Sequence, residues 1–169
     1  MRFTQHYTGA PVCAPFRYML LTGTHAGHAY IRGNYELGQF ADEKEGGQMP
    51  IPETTPTLAK MLKKAGYQTA MVGKWHLGHA QETYTPRARG FEHFYGHLHT
   101  EVGYFPPFSN QEGIDFQRNG ETITDDGYET FLLANEASRW IKERDKTKPF
   151  FMYVPFIAPH TPLDAPEDL

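Results

Sequence analysis

The amino-acid sequence predicts an α/β fold. Two observations carry that reading: segments with apolar residues at helical spacing alternate with short apolar runs of strand length, and turn residues separate one from the next. No internal repeat, low-complexity tract or composition break divides the 169 residues, a length that suits one domain or part of one. Hydrophobic residues make up 39 %, enough for an ordinary core, while 16 glycines and 13 prolines point to a loop-rich globular chain.

The first helix is expected to run from Cys13 through the segment APFRYMLLTG. Pro15 falls in the first turn, where its missing N–H costs nothing, and Gly23 supplies the stop, so Cys13 sits at a helix N-terminus. Residues 24–52 read as a Gly- and His-rich loop, with Asp42, Glu43, Lys44 and Glu45 at a solvated tip. In the second helix Thr55 is the expected cap and Pro56 occupies the first turn. Leu58, Met61, Leu62 and Ala65 then share one face before Gly66 ends it. Tyr67 to Val72 reads as a strand, which places Gly73-Lys74-Trp75-His76-Leu77-Gly78 at its C-terminal end, the favoured position for functional groups in α/β folds. Residues 79–123 read as mostly irregular, with turns at Gly90-Phe91-Glu92 and Pro106-Pro107. A third helix is expected over Thr124 to Arg144, opened by acidic residues and carrying Leu133, Ala137, Trp140 and Ile141 at helical spacing. Phe150 to Val154, after Pro149, has the continuous apolar character of a buried central strand, and His160 follows it.

Charge and composition exclude several functions. A net charge of −4 without a basic block argues against nucleic-acid or anionic-membrane binding. The longest apolar stretch, Phe150 to Ala158, is far shorter than the roughly 20 residues of a membrane span. No secretory leader is legible in MRFTQHYTGAP. One cysteine allows neither an internal disulfide nor a Cys-rich zinc site. The pairs His25/His28 and His97/His99 lack a Cys partner or an H-E-x-x-H pattern, so they are not read as a transition-metal site.

The segment Val12-Cys13-Ala14-Pro15-Phe16-Arg17 through Leu21-Thr22-Gly23 resembles the C-x-P-S-R signature of the sulfatase family. Gly66-Tyr67-Gln68-Thr69-Ala70-Met71-Val72-Gly73-Lys74-Trp75-His76-Leu77-Gly78 resembles that family's second signature, in the right order. Gly90 to Gly96, and Pro149 to Val154 with Ala158-Pro159-His160-Thr161-Pro162, are also similar to family segments. The resemblance implies an alkaline phosphatase-like mixed sheet flanked by helices. It also implies that residues 1–169 form a partial catalytic domain, without the N-terminal metal-binding strand and the C-terminal part.

The resemblance further implies that Cys13 is oxidised by a formylglycine-generating enzyme to an aldehyde, which hydrates to a diol. One hydroxyl attacks sulfur and displaces the alcohol, and the other lets the sulfate leave; a serine would do the first half and stay sulfated. Carried over by motif position, Arg17 orients the formylglycine, Lys74 binds a sulfate oxygen, His76 hydrogen-bonds the diol and His160 serves the leaving oxygen. Arg17 lies four residues after Cys13, so both fall on one helical face. The substrate implied is a sulfated small molecule or glycan, and the setting of the whole protein is secreted, periplasmic or lysosomal.

Each residue also has an ordinary reading. A lone Cys is most often a small buried hydrophobe, Lys74 and His76 in isolation are unremarkable, Trp75 disqualifies a phosphate loop, and H-x-P is compatible with a simple turn. Two features depart from the family pattern. Phe16 stands where the family has Ser. The family's Ca2+ is held by an Asp pair before the cysteine motif and an Asp-Asn pair after the H-x-P segment, and only Cys13, as formylglycine, matches a metal ligand here. Asp125-Asp126 reads as a helix cap instead. Two alternatives remain beside the sulfatase: a formylglycine-dependent phosphate or phosphonate ester hydrolase, and a non-catalytic remnant.

Overall fold

The structure, a computed structural model, describes residues 2–34, 48–100, 102–110 and 113–167. The charged run at 42–45 lies outside them. Helix α1 (Cys13–Thr22) starts at the cysteine as expected, and Gly23 ends it with φ 69° and an N–H returned to the Met19 carbonyl at 2.9 Å. Val12 offers no side-chain cap, and Asn34 Oδ1 accepts the Ala14 N–H at 2.9 Å in its place.

Helix α2 (Leu58–Lys64) is capped by Thr57, not by Thr55. The Thr57 hydroxyl accepts the Lys60 N–H at 3.2 Å and donates to the Arg89 carbonyl at 2.6 Å. That second bond is tertiary, and it selects between two threonines that local sequence leaves equivalent.

Strands β1 (Gln68–Val72) and β2 (His93–Gly96) are parallel neighbours. Four two-residue strands follow: β3 (Ser109–Asn110), β4 (Gly113–Ile114), β5 (Gln117–Arg118) and β6 (Glu121–Thr122). Helix α3 (Glu129–Glu143) and strand β7 (Phe150–Tyr153) complete the elements. The main sheet has the order β6-β5-β2-β1-β7, parallel at β2-β1-β7 and antiparallel at β2-β5-β6, while β3 and β4 form a separate ribbon. Residues 79–123 are therefore not irregular throughout. Their strands are too short to show a period and exist through pairing.

Two further expectations are corrected. Helix α3 begins at Glu129 rather than Thr124, and its N-cap Tyr128 makes no side-chain cap. Asp125 is no cap either: its Oδ2 accepts from the Tyr95 hydroxyl at 2.7 Å and from Arg118 Nη2 at 3.3 Å. Strand β7 is not central among the described residues. It pairs with β1 alone at the sheet edge, and its residues are half-buried to exposed. The buried central strand is β1, where Thr69 to Val72 have no accessible surface.

Alternation along the strands makes two cores. Met71 and Phe94 pack with Ala14, Tyr18 and Leu21 of α1 and Ala59 of α2. Val72 and Tyr95 pack on the opposite face with Phe116 and with Leu133 and Ala137 of α3. Helices thus cover both faces of β1, and its C-terminal end emerges between them.

Thr57→Ala is expected to destabilise the fold by about 1 to 2 kcal/mol through loss of a buried cap, and Thr55→Ala by a few tenths. Urea unfolding of both variants checks this, and equal effects would restore Thr55 as the cap.

Candidate active site

The chain beyond β1 keeps strand-like hydrogen bonds on both sides. Gly73 N–H donates to the Tyr95 carbonyl at 2.8 Å, Lys74 N–H to Pro155 at 3.0 Å, Trp75 N–H to His97 at 2.9 Å and His76 N–H to Leu98 at 3.0 Å. This explains the glycines of the motif. A Cβ on Gly73, at φ 129°, would lie 2.3 Å from the Pro155 carbonyl oxygen, and one on Gly78, at φ 102°, would lie 2.6 Å from Pro50 Cβ. Trp75 is fully buried and its indole N–H donates to the Gly78 and Tyr84 carbonyls, both at 3.0 Å. Between these anchors His76 takes φ 56°, a left-handed conformation uncommon for a non-glycine residue.

Helix α1 meets this strand end through Arg17. Its Nη1 donates to the Lys74 carbonyl at 2.5 Å and to the Tyr153 hydroxyl at 3.4 Å. Cys13, half-buried, lies one turn before Arg17 and interacts electrostatically with it. The structure therefore brings Cys13, Arg17, Lys74 and His76 into one cluster.

Arg17 and Lys74 are both buried. Burial lowers the Arg17 pKa, against the pull of Tyr153 and Cys13. His76 is pushed down to about 2, first by burial and then by the charges of Lys74 and Arg17, so its ring is neutral. His76 Nδ1 is buried and has no hydrogen-bond partner. The site thus combines two cations withdrawn from water with a neutral imidazole.

Several further residues adjoin the strand end, of which the sequence raised only the His97/His99 pair, as a metal site it set aside. His97, fully buried, sits beside the cations and is lowered to about 3, mainly by burial and then by Lys74 and Arg17. Asp115 pins the adjoining loop, accepting the Leu98 N–H at 2.9 Å on Oδ1 and the His99 N–H at 2.7 Å on Oδ2. The rings of His99 and His79 lie 3.9 Å apart. The H-x-H spacing of His97 and His99 would put both side chains on one face of a regular strand; the chain bends after residue 97, so His97 faces Glu129 while the His99 ring lies against His79. His160 is half-buried. Its N–H donates to the Ile157 carbonyl at 2.9 Å, its Nδ1 lies 2.6 Å from the Thr161 carbonyl, and its own carbonyl accepts the Tyr104 hydroxyl at 2.8 Å. These bonds fix the H-x-P turn after β7; they do not by themselves place the ring against Cys13.

Among the described residues no group of three or more His, Cys, Asp or Glu side chains is arranged to hold a metal ion. A calcium ion needs six to eight oxygens, so the described residues do not fit one.

A family model described as Sulfatase matches residues 1–169. The chain belongs to the sulfatase family. The arylsulfatase of Klebsiella aerogenes is 36 % identical over 175 residues, covering 99 % of this chain and 37 % of its own length. N-acetylgalactosamine-6-sulfatase of Homo sapiens is 31 % identical, with 96 % of this chain and 33 % of the relative covered. The solved structure of Ps i-CgsB in complex with k-i-k-neocarrahexaose superposes with a TM-score of 0.80 at 28 % identity, covering 96 % of this chain and 38 % of that one. Another solved relative, bound to its substrate D-glucosamine-2-N,6-O-disulfate, gives 0.68 at 31 % identity, with 95 % and 27 % covered. The mixed sheet flanked by helices is thus part of the alkaline phosphatase-like fold of the sulfatases. This sulfatase-family chain spans between 27 % and 38 % of the length of these relatives.

The depressed pKa of His76 has a testable sign. Protonation below pH 6.5 favours the unfolded chain over the folded one, so His76 withdraws stability as pH falls from 6.5 toward 2. Its ring 15N signals are expected to stay in the neutral pattern from pH 8 to about pH 4; an inflection near pH 6 would contradict the buried, cation-flanked site.

Proposed function

We propose that the protein to which this chain belongs hydrolyses sulfate esters at the cluster of Cys13, Arg17, Lys74 and His76, with Cys13 converted to formylglycine. The observation that supports this most is the pairing of two buried cations with a neutral histidine beside the first residue of α1. A sulfate ester is an anion whose leaving oxygen gains charge in the transition state, and fixed cations in a water-poor site stabilise that charge.

Position 13 suits the modification: it is half-buried, begins a helix and has a guanidinium one turn on. The hydrated aldehyde, once present, supplies one hydroxyl for attack on sulfur and a second for release of sulfate. Arg17, held by the Lys74 carbonyl and the Tyr153 hydroxyl, orients residue 13 and adds charge. Lys74 binds a sulfate oxygen. His76, neutral, has Nδ1 available for a hydrogen bond within the site. His160 is assigned to the leaving oxygen by its motif position. No step is routed through calcium. The substrate class is a sulfated aryl compound or glycan, matching the names of the relatives, and the partner in maturation is a formylglycine-generating enzyme. The 169 residues alone are proposed to be inactive and to show no saturable calcium binding, as one part of a catalytic domain.

Two experiments test the assignment. Co-expressed with the modifying enzyme, the Cys13 peptide is expected to lose mass consistent with thiol-to-aldehyde conversion and to react with a hydrazide, with Phe16→Ser raising the converted fraction. An unmodified thiol in both forms would refute it. In an active protein extended at both ends, Lys74→Ala is expected to lower kcat/KM on an aryl sulfate by about 10² or more. Lys63→Ala, an exposed residue paired with Glu92 at 3.6 Å, changes it little. Equal effects would contradict the role of Lys74, and preference for the matching aryl phosphate would move the reaction to phosphate esters.

A further inference from the structure

Among the described residues, His97 and Glu129 are the ionisable side chains with no accessible surface at all, and the reaction outlined above uses neither. They face one another: His97 Nε2 lies 4.0 Å from Glu129 Oε1. Neither carboxyl oxygen of Glu129 has a hydrogen-bond partner, and neither has His97 Nε2. On the other side of the ring, His97 Nδ1 lies 3.2 Å from the His99 carbonyl oxygen. A carbonyl only accepts, so Nδ1 carries the proton and Nε2 of the neutral ring offers a lone pair. A carboxylate opposite that lone pair has nothing to donate, whereas a carboxylic acid does.

We infer that Glu129 is a protonated positioning residue, whose O–H serves His97 Nε2 and thereby holds the strand end that carries Lys74 and His76. The inference rests on the sulfatase reading of Arg17, Lys74 and His76. At 4.0 Å the contact exceeds a hydrogen bond. It closes by a side-chain shift of about 1 Å or through one bridging water.

The backbone shows what the pair holds. The His97 carbonyl accepts the Trp75 N–H at 2.9 Å and the Leu98 carbonyl accepts the His76 N–H at 3.0 Å, so a fixed His97 ring fixes the strand end that carries Lys74 and His76. In the other direction, Glu129 N–H donates to the Tyr104 carbonyl at 2.8 Å, and the Tyr104 hydroxyl donates to the His160 carbonyl at 2.8 Å. One residue at the start of α3 therefore reaches the sulfate-binding segment through His97 and the H-x-P turn through Tyr104.

The surrounding charges favour the proton on Glu129. Lys74 and Arg17 face His97 and, after burial, hold it down to about 3, with His99 adding to them; His76 is the remaining titratable neighbour. Burial raises Glu129 to about 7, and the titratable groups that it faces are His97 and Tyr104. A bound oxyanion would offset the two cations and make an imidazolium at His97 less costly, so the proton also has a reason to shift toward His97 when substrate is present.

The test compares Glu129→Gln, which keeps a donor but cannot ionise, with Glu129→Leu, which does neither. In the unmutated protein the His97 ring 15N shifts at pH 6 are expected to report the neutral Nδ1–H form, unchanged in E129Q. Because folded Glu129 holds its proton where the unfolded chain has lost it, its contribution to stability fades as pH rises from about 4.5 to about 7. The unmutated protein is therefore expected to lose more Tm between pH 5 and pH 8 than E129Q does. With an aryl sulfate as probe in the active, extended protein, E129Q keeps kcat/KM within about threefold at pH 6 and E129L lowers it about tenfold or more. An Nε2–H ring or an imidazolium at pH 6, an unchanged pH slope in E129Q, or equal losses in both variants would overturn the inference. Absence of turnover in every form, with the ring state and pH slope as stated, would count against the sulfatase reading and leave the Glu129–His97 pair standing.

Discussion

The bond from the Arg17 guanidinium to the Lys74 carbonyl joins two parts of the chain that sequence separates by 57 residues. One part is the first turn of α1, which carries Cys13. The other is the end of β1, which carries Lys74 and His76. A buried guanidinium left without partners costs several kcal/mol, so the fold is held to geometries in which this carbonyl is within reach. The relative position of Cys13 and the strand end that carries Lys74 and His76 is thus set by the same contact that makes Arg17 tolerable in the interior.

That contact works only because the strand end is rigid. Gly73 lets Pro155 approach on one side, the carbonyls of Tyr95, His97 and Leu98 bind the other, and the Trp75 indole locks the turn from within. With the backbone held on both sides, His76 is kept in a left-handed conformation that an unconstrained chain would leave. The electrostatics follow from the same packing: cations that cannot retreat to water act on their neighbours, and His76 and His97 respond by staying neutral.

Much of this arrangement was legible in the sequence, for identifiable reasons. Helix α1 announced both ends through Pro15 and Gly23, β1 through its apolar run, and the cluster of Cys13, Arg17, Lys74 and His76 through two motifs in order. What was not legible depends on partners distant in sequence. Thr57 rather than Thr55 caps α2 because the Arg89 carbonyl waits for its hydroxyl, and β5 and β6 are strands because β2 pairs with them. Asp125 left its expected capping role for Tyr95 and Arg118, and the apolar run at 150–153 proved to be an edge strand in the described structure. Glu129 drew no reading of its own from the sequence, since nothing local reveals that His97 is buried opposite it.

The proposed route turns over sulfate esters at residue 13, beside Arg17 and Lys74, and needs two hydroxyls on one carbon. Its most direct test is the stoichiometry of sulfate transfer from an aryl sulfate in the active, matured protein and in its Cys13→Ser variant. Many equivalents of sulfate are expected to be released by the former. At most one equivalent is expected to be transferred by the serine variant, which would retain it on residue 13. Continuous turnover by the serine variant at a comparable rate would contradict the account.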